Sequence, residues 1–174
     1  TFRLDCQRAV ANGIMETAAS TFLLLIAVRY FHAGSAAKGW IAAASSLGFV
    51  ATPALVNLVT RTGVLPARAA AALTLVAGIA YGIAAIVPEM HVYVACAMLA
   101  TAASSACVPL FTQMYRDNYP DADRGRLFSR AVTIRVLVSA GFGWGAGRLL
   151  EADIGRARVL LLLFAGASLF ASAV

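Results

Sequence analysis

Three stretches of this chain carry no charged side chain for longer than a soluble fold tolerates. Gly39 to Thr60 runs 22 residues without Asp, Glu, Lys or Arg, Ala69 to Pro88 runs 20, and Met90 to Tyr115 runs 26. A helix of about 20 apolar residues crosses a hydrocarbon core of about 30 Å. Buried strands are far shorter, and the alternation of a membrane β-barrel is absent. Alanine runs such as Ala42-Ala43-Ala44 and Ala69 to Ala72 suit helices packed closely together. Composition agrees. The chain is 61% hydrophobic and 13% charged, against roughly a quarter charged in soluble domains. That excludes a soluble globular domain, a disordered chain, collagen and a disulfide scaffold.

Three further spans are less clean. Ala9 to Val28 contains Glu16, Ala131 to Gly147 contains Arg135, and Val159 to Val174 is uncharged but short. The chain of 174 residues therefore predicts a single all-α domain, a polytopic transmembrane bundle of six helices. Their approximate bounds are 9–31, 39–60, 69–87, 92–115, 129–149 and 158–174. Two sets of three helices, the second inverted in the membrane, would form the inverted repeat on which many secondary transporters are built. A first residue that is Thr1 and an apolar run ending at Val174 are expected of a piece of a longer protein, or of one with disordered ends.

Charge gives an orientation. The N-terminus and the loops at 61–68 and 116–130 hold eight Arg residues, and the opposite ends hold five Lys or Arg. The positive-inside rule then places the N-terminus in the cytoplasm, in an integral protein of a bacterial inner membrane. The net charge of +6 belongs to these loops, so nucleic acid is not an expected partner.

Two of the loops carry a resemblance. Thr60-Arg61-Thr62-Gly63 holds the R-x-G core of a signature, roughly G-x-x-x-D-R-x-G-R-R, with Val56, Thr60 and Val64 at its first Gly, Asp and next basic position. Pro120 to Arg126 holds a P…RGR stretch in Arg124-Gly125-Arg126, and Gly141, Gly143, Gly145 and Gly147 enrich the fifth helix. In these features, and in span order, the chain resembles the N-terminal six-helix half of a major facilitator superfamily transporter. The resemblance implies a transporter of about twelve helices. A missing C-terminal half, or a second copy, would complete it around a small-molecule solute. It also implies that the first and fourth helices line a central cavity. Arg61, Gly63, Arg124, Gly125 and Arg126 would then latch the inner loops; otherwise those loops are simply solvated.

Glu16 is the most informative residue. It lies about 12 Å along the first helix, where a carboxylate is costly unless protonated, hydrated or paired. It is a candidate proton carrier, or else a structural acid. Arg135 lies at similar depth in the fifth helix and can pair with Glu16, bind an anionic solute through its planar fork, or snorkel to the headgroups. Asn12 stands one turn before Glu16 on the same face. On the fourth helix Thr101 and Ser105 share a face, with Gln113 further along; hydroxyls there either line the cavity or bond helix backbone.

Several chemistries are set aside. Gly141 to Ala146 fits GxGxxG/A, but no βαβ unit surrounds it; Gly141/Gly145, Gly143/Gly147 and Gly78/Gly82 are expected as close helix contacts. HExxH is absent, and Cys6, Cys96 and Cys107 form no CxxC. No metal, cofactor or enzyme chemistry is expected. The alternative function is a membrane scaffold or accessory subunit, although such a bundle has little reason to bury Glu16 and Arg135.

Overall fold

The computed structural model describes residues 2–174, apart from the Ser20 side chain, and every regular element among them is helical. Thr1 lies outside them. Helix α1 (Phe2–Thr17) runs into a π-helical turn, Ala18–Phe22, and continues as α2 (Leu23–Arg29). Then come α3 (Ser35–Thr62), α4 (Pro66–Ile86), α5 (Met90–Ala106) and α6 (Val108–Asn118). Helix α7 (Asp121–Ala152), a 3-10 turn (Ile154–Arg156) and α8 (Ala157–Ala173) complete the chain.

Among the described residues, four helical stretches are long and apolar enough to cross a membrane: Ser35–Thr62, Pro66–Ile86, Met90–Asn118 and Ile154–Ala173. This is compatible with an integral membrane protein. Of the six spans expected, the first and fifth are not among these four. They are the segments that carry Asp5, Arg8 and Glu16 on α1, and Arg124, Arg126, Arg130 and Arg135 on α7.

Local sequence explains the helix ends. Gly63 takes φ 65° and closes α3, a left-handed position where glycine is unstrained. Pro66 opens α4, where its missing N–H costs nothing. Asp121 and Asp123 sit in the first turn of α7, where carboxylates complement the helix N-terminus. The expected loop at 116–130 is therefore mostly helix, and α7 starts at Asp121 rather than 129. Likewise α1 starts at Phe2 rather than 9. Pro109 marks a joint in the fourth span, with α5 ending at Ala106 and α6 starting at Val108. Pro53 lies inside α3 without ending it.

The interior is built largely of small residues. Ala77, Ala80, Ala97, Ala100 and Ala103 are buried, while Trp40, Val50, Leu58, Ile86, Leu137 and Trp144 are exposed. A water-soluble domain would reverse this order. Helix α1 packs on α7 and α8, α4 on α8 and α5, and α3 on α5. The few large buried groups, Tyr81, Tyr93 and Phe164 among them, fill the centre. Tyr93 donates to the Leu23 carbonyl at 2.7 Å, just after the π turn.

Two crossings are backbone-close, and glycine makes each possible. A Cβ at Gly13 would stand 2.5 Å from the Arg135 carbonyl oxygen, and one at Gly48 would strike the Ala102 carbonyl. The glycines expected as contacts behave differently. Gly78 meets Leu169, and Gly143 reaches Thr17 at 3.4 Å, but Gly82, Gly141, Gly145 and Gly147 meet nothing within 4 Å. The exposed Gly141/Gly145 pair of α7 thus faces outward from this bundle.

A Gly13→Ala substitution forces α1 from α7 against backbone, which cannot rotate away, and should cost about 1–3 kcal/mol. Gly145→Ala meets open space and should be neutral or slightly stabilising. Thermal unfolding of the purified protein in detergent checks the contrast: only Gly13→Ala should lower Tm.

Candidate functional site

The polar residues of α1 fall in one stripe. Asp5, Arg8, Asn12 and Glu16 are spaced three, four and four residues apart, which puts them on one helix face. Helix α7 lies along this stripe and runs parallel to it, since Gly13 meets Arg135 while Thr17 meets Ser139 one turn later. Thr17 Oγ1 is 3.0 Å from the Gly13 carbonyl, 3.2 Å from the Ser139 carbonyl and 3.0 Å from Ser139 Oγ. This bridge fixes the rotation of α1 at the residue after Glu16.

Glu16 and Arg135 form an ion pair, with Glu16 Oε2 3.1 Å from Arg135 Nε. The N–H is not aimed at the carboxylate, for Nε makes no hydrogen bond. Both side chains are roughly half open, 48% and 41% exposed, and both line a cavity of about 350 Å³. Asn12, Thr101 and Ser105 line the same cavity. Its apolar walls are Met15, Phe49, Phe111 and Val108, and Thr74, Ser104 and Cys107 also border it. This volume is in the ordinary range of small-molecule sites, as is a mostly apolar wall with a few polar groups.

Five of the six residues expected at a solute site are therefore brought together: Glu16, Arg135, Asn12, Thr101 and Ser105. Gln113 is not among the lining residues; on α6 Val108 and Phe111 face the cavity. Two of the four lining hydroxyls are bonded to their own helices. Thr74 donates to Ala70 at 2.9 Å, and Ser104 to Ala100 at 2.8 Å. Thr101 differs. It is only 3% exposed, and its hydroxyl has no hydrogen-bond partner among the described residues. The Tyr81 hydroxyl is its neighbour and the natural partner for it.

The residues expected to latch the inner loops are not gathered. Arg61 is exposed at the end of α3, and Gly63 serves as that helix's cap. Arg124 pairs with Asp121 at 2.6 Å and donates to the Arg116 and Tyr119 carbonyls at 3.0 and 3.1 Å. It closes the turn between α6 and α7. Gly125 meets nothing within 4 Å, and Arg126 stands 3.9 Å from Asp123.

A different polar cluster holds the N-terminal end of the bundle, and sequence reasoning missed it. Arg8 donates to Asp5, and Tyr119 donates to the other oxygen of the same carboxylate. The Arg8 guanidinium lies 4.9 Å over the Phe111 ring, a cation–π arrangement. Asp5 and Arg8 are both buried. They line a smaller cavity of about 50 Å³, which shares Asn12, Phe111 and Arg135 with the larger one. The signal was the stripe itself, which extends two turns below Asn12.

Comparisons with protein families, with curated proteins and with solved structures find no match.

Burial first, and then the hydrogen bond and charge of Asp5, raise the Tyr119 phenol above its ordinary value. The phenol's contribution to stability is present in full below about pH 10 and is lost as pH rises through the raised value. The stability difference between the wild type and Tyr119→Phe should therefore stay constant up to about pH 10 and shrink only above it. Unfolding followed across an alkaline pH series checks this.

Proposed function

We propose that this chain is a six-helix unit of a secondary transporter. It moves a small solute by alternating access and couples that movement to a proton carried by Glu16. The observation that carries the reading is the convergence of Glu16, Arg135, Asn12, Thr101 and Ser105 on one cavity. An ion pair half open to a largely apolar cavity has no evident structural purpose, because well-packed apolar residues would stabilise the bundle as well. A carboxylate and a fixed cation facing a solute-sized space are what proton coupling requires.

Packing also supports the two-set organisation and its kinship with major facilitator transporters. If α1, α3 and α4 exchange places with α5, α7 and α8, the α1–α7 contact becomes the α5–α3 contact and the α4–α8 contact maps onto itself. Both exchanged crossings are closed by a glycine, Gly13 of α1 against α7 and Gly48 of α3 against α5, although the glycines themselves are not in equivalent positions. On this reading α1–α2 and α7 also cross the membrane, and their charges face the cavity rather than lipid. The excess of basic residues at one end supports a cytoplasmic N-terminus in a bacterial inner membrane.

The test is proton flux in proteoliposomes holding the full-length protein. Pools of organic acids, amines and sugars are added outside, and internal pH is followed. At least one pool should drive proton movement in the wild type, and Glu16→Gln should reduce it about tenfold or more. If no pool moves protons or solute through the wild type, the transport reading falls, and the scaffold alternative takes its place.

A further inference from the structure

The charge states open to the cavity restrict what it can hold. Glu16 can be ionised or protonated, whereas an Arg guanidinium stays charged at any workable pH. The Glu16–Arg135 pair is therefore either neutral or singly positive, and never negative. The other titratable groups facing this pair do not change that. Asp5 and Arg8, further along α1, cancel each other as a buried pair. Tyr115 of α6 borders the smaller cavity, and Cys107 at the α5–α6 joint borders the larger one. Helices α3, α4, α5 and α8 add no Asp, Glu, Lys, Arg or His to either lining.

Resting on the transport reading, we propose that the solute is a small organic anion with an apolar body. Its carboxylate displaces that of Glu16 from Arg135 as Glu16 takes up one proton. The exchange balances. The solute brings one negative charge, Glu16 loses one by protonation, and Arg135 remains paired throughout. The present pair is suited to such an exchange, because contact at 3.1 Å without a directed hydrogen bond leaves the guanidinium fork free to take a planar carboxylate. The apolar body would lie against Met15, Phe49 and Phe111. A cation has no net negative charge to meet here, and a neutral solute gives Glu16 no cause to release Arg135.

Calorimetric titration of the full-length protein in lipid nanodiscs tests this with three probes of one shape: benzoate, benzyl alcohol and benzylamine. Titrations in buffers of different ionisation enthalpy count the protons taken up. Benzoate should bind about tenfold or more tightly than the other two, with about one proton taken up per benzoate above the pH where Glu16 ionises. Its affinity should fall about tenfold per pH unit in that range. Arg135→Gln should abolish benzoate binding. Glu16→Gln should bind benzoate with no proton uptake and no pH dependence, since Gln fixes the cavity in its positive state. Benzoate binding by the wild type without proton uptake, or unchanged in Arg135→Gln, would overturn the proposal even if the variants at Glu16 do not fold. Tighter binding of benzylamine or benzyl alcohol would overturn the anion assignment while leaving transport standing. Binding of none of the three would overturn the anion assignment, whereas the transport reading itself falls only with the flux experiment.

Discussion

How closely α1 approaches α7 sets the geometry of everything around the cavity. The approach is possible because Gly13 has no side chain to strike the Arg135 carbonyl. It brings Thr17 against Ser139 and so aligns Glu16, one residue earlier, with the Arg135 side chain. Either charge alone among apolar helices would cost about 2.5–3.5 kcal/mol or more. The pairing removes much of that cost without closing the space beside it. A wider crossing would leave two separate charges among apolar helices; a tighter seal would leave no cavity.

The π-helical turn that follows Glu16 has a complementary effect. One extra residue in a turn rotates everything beyond it, and such turns are frequent at functional sites. Before the turn, α1 packs on α7 and α8; after it, α2 packs on α3 and α5. Tyr93 fastens the far side by donating to Leu23. The first helix therefore presents its polar stripe to the cavity along one half and a wholly apolar core face, Leu23, Ile26 and Ala27, along the other. At the N-terminal end the Asp5–Arg8–Tyr119 cluster ties α1 to the end of α6. On the proposed reading, this cluster and not the loop arginines closes the cavity on that side.

The parts of this arrangement visible in the sequence are those that depend on one segment at a time. The uncharged runs gave α3, α4, α5 with α6, and α8, because helix length and apolarity are local properties. The scarcity of ionisable groups among apolar residues singled out Glu16 and Arg135, and helical spacing added Asn12, Thr101 and Ser105. What depends on two segments at once was hidden. Gly13 and Gly48 are isolated glycines whose value lies in the backbone opposite, whereas the conspicuous glycine run of α7 meets nothing within 4 Å except at Gly143. Asp5 and Tyr119 are 114 residues apart, and Arg8 looked like a loop charge. Gln113 is off the lining because the cavity face of this span runs Thr101, Ser104, Ser105, Val108 and Phe111 at helical spacing, which leaves Gln113 on another side of the helix.

On the proposed reading, Glu16 and Arg135 form a pair with two states, exchanged when a solute carboxylate takes the place of Glu16. Infrared difference spectroscopy of the protein in lipid, before and after benzoate is added, observes the exchange at the carboxyl group itself. Glu16 should lose one carboxylate signal and gain one protonated-carboxyl signal, and both changes should be absent in Glu16→Gln. A benzoate-bound spectrum in which Glu16 remains a carboxylate would contradict it.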